Sequence, residues 1–536
     1  MFIIKSSRKR ALALDEPIRH ESHKRPVTRR DFLAQGFITG SATVVAPSIL
    51  SMLMNGRADA ASITLATDIA QQKADCGITG GAGKIPFICF DLAGGANIAG
   101  SNVLVGKKGG QLDFLTTQGY SKLGLPGNML PNNATTNFVN TEFGLAFHSD
   151  SAFVRGMISK TSVTTRANVD GAVIPARSEN DTGNNPHNPM YGIARAGAKG
   201  ELLTLIGSQN SDSGGNSMAP AMLMDPANRP TKVDRASDVT GLVDTGEVAT
   251  ILSPSDTIEV LESMVRVSNK KMDRVTTGLP TVGGVDLDVD TEKRFRCGYV
   301  KTADTVNNFA SPDALNPAKD DKITAIFGAS FGNDSEFQKT ASVMKLVVPG
   351  NAGAGTISMG GFDYHTTDRA TGEQRDFRAG QCMGACLEYA AQMGKPLMLY
   401  VFSDGSVSSN GMVDGSANGR DKGVWTSDNQ QTASAFFLVY NPSGKPVLLN
   451  EDGIALERRQ QLGYFRPEGD VETAGSPAAN NVNLLVQTVL LNYMALHNED
   501  MAFGTKIPGQ GLGAGSAQRA MVAFEPICNG TITNPA

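Results

Sequence analysis

Asp363-Tyr364-His365 sets a carboxylate and an imidazole two residues apart. In extended backbone, residues i and i+2 project to the same side. Carboxylate oxygen and imidazole nitrogen are both donors for zinc, manganese or a similar divalent cation, and the carboxylates alone also suit calcium or magnesium. Three further acids stand where apolar runs end. Asp91 closes Ile85–Phe90 and precedes the turn Gly94-Gly95-Ala96-Asn97; Asp404 lies in Ser403-Asp404-Gly405 after Leu397–Phe402; Asp428 lies in Ser427-Asp428-Asn429 before Ala435–Tyr440. Ligands in open α/β sheets collect at the carboxyl ends of strands. The expectation is therefore that Asp363, His365, Asp404 and Asp428 meet at one sheet edge, with Asp91 as a further ligand. Carboxylates this close repel by about 4 kcal/mol per pair at 4 Å and an effective dielectric of 20. A cation offsets that repulsion. Arg420 and Lys422 are the alternative source of positive charge.

Other motifs carry less. Gly80-Gly81-Ala82-Gly83-Lys84 is followed by Ile85, where a phosphate-binding loop needs Ser or Thr. The Gly509–Gly515 run lacks dinucleotide-binding spacing. Gly328-Ala329-Ser330-Phe331-Gly332 fits G-x-S-x-G and follows Ile323–Phe327, but in a chain with 59 glycines it reads as a turn into a helix. The six cysteines allow 15 full pairings. Cys382 and Cys386 share a helix face in a spacing poor for a disulfide, so they read as small buried residues rather than a redox pair.

These side chains need a scaffold. Ile85–Phe90, Ala152–Ile158, Leu202–Ile206, Ile323–Phe327, Met344–Val348, Leu397–Phe402 and Ala435–Tyr440 are short apolar runs that read as strands buried on both faces. Ile251–Lys271, Phe377–Met393 and Asn483–His497 read as helices. Alternation of the two predicts an α/β fold, a three-layer αβα sandwich around a parallel sheet. Residues from about 208 to 322 are polar and read as an insertion. Residues 405–432, rich in Gly, Ser, Asn and Asp, predict a mobile lid over the strand ends. The expected organisation is a leader over 1–60, a linker over 61–84, an α/β domain over 85–500 and a tail over 501–536.

Charge divides the same way. The net charge is −5, which argues against a nucleic-acid partner, yet residues 1–60 hold ten Lys/Arg against five Asp/Glu. In that basic leader Thr28-Arg29-Arg30-Asp31-Phe32-Leu33 precedes an apolar run from Gly36 to Met54, then Ala58-Asp59-Ala60. A basic region, an apolar region and an A-x-A site in this order describe a cleavable export signal. The paired Arg29 and Arg30 with Phe32 and Leu33 address it to the twin-arginine translocation machinery. Cleavage after Ala60 leaves no segment apolar enough for a stable membrane span. The expected location is the periplasm or beyond.

The order of these pieces — twin-arginine leader, Phe90–Asn97 (FDLAGGAN), Gly361–Thr366 (GFDYHT), Leu397–Gly405 (LMLYVFSDG), Thr426–Asn429 (TSDN) and a helix ending Asn492–Leu496 — resembles the bacterial domain of unknown function 1501 family. That family is related to the alkaline phosphatase and sulfatase superfamily. The resemblance implies an alkaline phosphatase-like αβα sandwich with metals at the strand ends. On it, Asp363 and His365 match the family's Asp-Thr-His, Asp404 the acid of its Ser-Glu-Phe-Gly, and Asp428 the Asp of its Asp-His-Gly. Asn429 stands where the family has His, and Asn is a poor zinc ligand. Ser178, in Arg177-Ser178-Glu179-Asn180, takes the position of a nucleophile. The implied function is a metal-dependent hydrolase of phosphate or sulfate esters. The rival reading is a non-catalytic envelope protein, for binding or assembly, on a degenerate hydrolase scaffold.

Overall fold

The computed structural model describes residues 65–76, 83–131, 137–178, 185–243, 254–274, 276, 278, 281–282, 285–309 and 312–535. The expected export signal, with Arg29, Arg30, Phe32, Leu33, Ala58 and Ala60, lies outside the described residues. The chain divides into two compact units, one from residues 1–77 with 244–310 and one from 78–243 with 311–536.

The larger unit is α/β. In chain order the strands of its central sheet and of one hairpin are β1 (Phe87–Gly94), β2 (Val169–Pro175), β3 (Leu203–Gly207), β4 (Thr231–Lys232), β5 (Ala352–Phe362), β6 (Leu397–Ser403), β7 (Val407–Asp414), β8 (Lys422–Asp428) and β9 (Ser434–Tyr440). Seven of them form the central sheet in the order β2-β9-β6-β1-β5-β3-β4. Strand β9 alone runs antiparallel to its neighbours β6 and β2. The principal helices are α1 (Ala152–Ile158), α2 (Met190–Arg195), α3 (Ser335–Val347), α4 (Arg369–Gln392) and α5 (Val482–Leu496).

Helices cover both faces of the sheet. On one, Phe87, Cys89, Tyr400 and Phe437 pack with Met190 of α2 and with Val486, Leu490 and Tyr493 of α5. Helix α5 is apolar almost all round, as a helix sunk in a core must be, and is capped where Asn481 Oδ1 accepts the Leu484 N–H. On the other face, Val343 and Val347 of α3 close on Gly355 of β5, and the Phe153 ring of α1 meets that of Phe436 of β9 at 6.0 Å.

Several expected strands are helices. Ala152–Ile158 is α1, begun where Ser151 Oγ accepts the Val154 N–H. Ile323–Phe327 lies in the helix Asp321–Phe327, capped by Asp320. Met344–Val347 is the last turn of α3, capped at its start by Asp334. Gly328-Ala329-Ser330-Phe331-Gly332 therefore follows a helix, as part of a 3-10 turn, and is no strand-to-helix elbow. The expected loop 405–432 contains the β7–β8 hairpin, with Lys422 and Trp425 fully buried.

The smaller unit holds the helices Thr67–Asp75, Pro254–Met272 and Leu287–Asn308. The Cys76–Cys297 disulfide closes it. Cys89, Cys382, Cys386 and Cys528 are free and buried.

Candidate metal centre

Strand β5 delivers Asp363 at its carboxyl end, and β8 delivers Asp428. His365 Nδ1 lies 2.5 Å from Asp363 Oδ1 and 3.2 Å from Asp428 Oδ1. One donor atom from each of the three falls within 4.8 Å of the other two. His365 is partly covered, while Asp363 and Asp428 face solvent. Donors about 2.1 Å from a tetrahedral ion stand roughly 3.3 Å apart. The His365–Asp428 spacing already meets that. The His365–Asp363 contact is a hydrogen bond, and the Asp363 carboxylate must draw back slightly to share a cation. The donor set fits a divalent ion.

The segment is pinned from below. Tyr364 points inward between the two ligands; its hydroxyl donates to Asp376 Oδ1 at 2.9 Å and accepts the Asn97 N–H at 2.7 Å. The Thr367 N–H reaches the Trp425 carbonyl at 2.6 Å, joining this segment to β8. Asp368 then caps α4 through the Thr371 N–H. Burial pushes Asp376 up to about 7, helped by the charge of Glu373.

Arg420 and Lys422 do not neutralise the triad. The Arg420 guanidinium pairs with Asp150, and Lys422 Nζ sits 2.8 Å from Glu373 Oε1 and 3.2 Å from Asp150 Oδ2. Arg375 of α4 is different. Its guanidinium carbon lies 3.0 Å from where a Cβ on Gly361 would stand, and it makes no ion pair among the described residues.

Asp404 and Asp91 do not join the triad as expected. Both are buried and belong to a second set at the ends of β6 and β1. Asp91 Oδ2 accepts the backbone N–H groups of Asn216 and Ser217, each at 2.7 Å, and its Oδ1 faces the Ser217 hydroxyl at 3.2 Å. Asp404 Oδ1 accepts the Gly94 N–H at 2.9 Å, and the Asn216 side-chain amide donates to its Oδ2 at 3.2 Å. Asn216 thus bridges two carboxylates. Burial pushes Asp91 up to about 7, with the Asp404 charge adding to it. Asp404 is thus engaged by one backbone N–H and one side-chain amide, and it is not among the groups that cluster with His365.

Ser178 lies in the same buried set. Its hydroxyl donates to the Asp404 carbonyl oxygen, and the Asn185 side-chain amide donates to its Oγ at 3.2 Å. His187 Nε2 stands 3.3 Å from the same oxygen. His187 is stacked on Phe402, and burial pushes its pKa down to about 3.

Sequence reasoning missed Asn216, Ser217, Asn185 and His187. A signal existed for the first two: Gly207–Ser217 is a polar Gly-rich turn directly after a strand, the same sign that marked Asp91 and Asp404. The placement of Tyr364 and Trp425 has no local sequence sign.

No family model, no curated protein and no solved structure matches the chain.

Proposed function

We propose that this is a protein exported by the twin-arginine route on a three-layer, alkaline phosphatase/sulfatase-like scaffold. On this reading it hydrolyses phosphate or sulfate esters with a divalent cation held by Asp363, His365 and Asp428. The convergence of those three groups at the carboxyl end of β5 carries the reading. A bound cation would polarise the ester and acidify a water. Arg375 supplies a guanidinium with no ion pair among the described residues next to this segment, suited to an anionic ester oxygen. With Ser178 buried, the attacking group on this reading is a water.

Purified full-length chain should take up zinc or manganese and cleave p-nitrophenyl phosphate or p-nitrophenyl sulfate. EDTA and His365→Ala should each abolish both properties. Arg375→Ala should raise KM while leaving cation affinity unchanged. A chain that binds none of zinc, manganese, calcium and magnesium sinks the proposal.

The burial of Ser178, 1% exposed, and Asn429 in place of a family His favour the second reading, a non-catalytic envelope protein on this scaffold. Cation uptake without cleavage of either ester would select it.

A further inference from the structure

The two segments that carry the metal triad rest on one glycine of α4. A Cβ added at Gly372 would stand 3.2 Å from Cδ2 and Cε2 of Tyr364 and 3.3 Å from Nε1 of Trp425. Tyr364 lies between Asp363 and His365, and Trp425 lies three residues before Asp428. Both aromatic side chains are buried, at 2% and 1% exposure, while the ligands they carry reach toward solvent. Each is also fixed from its other side: Tyr364 by Asp376 and Asn97, and Trp425 by Arg369, whose guanidinium carbon lies 4.6 Å from the ring centre. Glycine is a weak helix former, and an alanine in the fourth position of an exposed helix would be preferred on propensity alone. Here the bare backbone lets both rings reach the helix.

We propose that Gly372 is a positioning residue of the cation site, setting the spacing between Asp363-His365 and Asp428 through the Tyr364 and Trp425 rings. The inference rests on the Asp363–His365–Asp428 reading. A methyl at 372 pushes on both rings and shifts their ligands, while it favours the helix itself. Partners behind metal ligands typically change affinity by 10–100-fold when replaced.

Trp425 is the only tryptophan of the chain, so its emission reads this site without a label. Zinc chloride titrated into EDTA-stripped full-length chain should change that emission and give a Kd. Gly372→Ala should weaken the Kd by about tenfold. The melting temperature of the stripped variant should stay at or above that of the stripped parent. Tyr364→Phe adds no bulk and removes only the bonds to Asp376 and Asn97; it should weaken zinc by a similar factor. Parent-like zinc affinity in both variants overturns the inference and leaves the cation site standing. A parent chain that takes up no zinc overturns both. Weakened binding that only mirrors a lower melting temperature of the stripped variants also overturns it, since the effect would then be general loosening.

Discussion

His497 Nε2 accepts the backbone N–H of Ile85 at 2.9 Å, across 412 residues of chain. The other ring nitrogen donates to the Tyr493 carbonyl at 2.7 Å, and the Tyr493 hydroxyl donates to the Ile85 carbonyl at 2.8 Å. The end of α5 thus grips the residue that leads into β1. A histidine at a helix end commonly complements the dipole as a charged ring; here the structure wants a neutral one. Burial pushes its pKa down to about 4 from 6.5.

That shift fixes a sign. Between pH 6.5 and about 4 the unfolded chain binds a proton that folded His497 refuses. Stability from this group is therefore complete above pH 6.5 and falls as pH drops toward 4. The full loss is on the order of 3 kcal/mol. His148 and His187, also buried and also depressed, act in the same direction. Urea unfolding followed from pH 7.5 to 4.5 should show this decline. His497→Gln should lower stability at pH 7.5 and make the decline shallower by about one proton. A parallel pH profile for parent and variant would contradict the neutral-ring assignment.

The Cys76–Cys297 disulfide spans 221 residues, so it removes much freedom from the unfolded chain. In the chain-entropy account a loop this long gives about 5 kcal/mol. Within the same unit Lys73 pairs with Asp304, and Arg266 with Asp68, but these lie partly or fully in solvent. The disulfide is the stronger link. Cys76→Ser with Cys297→Ser should speed amide exchange in Thr67–Asp75 and Leu287–Asn308, while β1, β5 and β6 keep parent rates. Unchanged exchange in those two helices would show that the bond is dispensable.

Much of the sheet was legible. Leu397–Phe402 and Ala435–Tyr440 are dense in aromatic and branched residues, and both are strands. The runs misread as strands fail for one reason: a buried apolar run of five to seven residues looks the same on a helix as in a sheet. Their caps Ser151, Asp320 and Asp334 were the discriminating sign. Strand β5 was invisible for the opposite reason. Its sequence, AGAGTISMGGF, has little strand character, because α3 packs so tightly that a Cβ at Gly355 would stand 2.6 Å from Val343 Cγ1. Of the site, the pairing of Asp363, His365 and Asp428 could be read from spacing and strand ends. The separation of Asp404 could not, since it depends on the backbone donor of Gly94 and the amide of Asn216.

Export is testable without structure. Replacing Arg29 and Arg30 together by Lys should leave uncleaved precursor in the cytoplasm, whereas the parent leader should deliver chain starting at Ala61. Normal export of the double variant, followed by cell fractionation and N-terminal sequencing, would remove the twin-arginine assignment.

The β7–β8 hairpin gives the last prediction. Its composition, rich in Gly, Ser and Asn, predicts a mobile lid that protease would cut first. The structure ties it down instead. Arg420, at the turn, has a left-handed φ of 58° and pairs with Asp150; Lys422, two residues on, is buried between Asp150 and Glu373. Asp150 holds both, and the Arg420 guanidinium and the other nearby cations keep its carboxyl down at about 2, so it stays ionised at neutral pH. Burying Lys422 costs desolvation that its acid partners and the Asp150 carbonyl, 2.7 Å from Nζ, offset, and removing one partner of a buried pair costs about 3–5 kcal/mol. Trypsin should therefore cut the native parent slowly after Arg420, although that residue is exposed. Asp150→Asn leaves Lys422 with Glu373 but releases Arg420, so cleavage there should accelerate by more than tenfold at 25 °C if the release costs as little as about 1.4 kcal/mol. Fragment masses over a time course report it. Rapid cutting after Arg420 in the parent, or equal rates in parent and variant, would return this hairpin to the mobile lid that its composition describes.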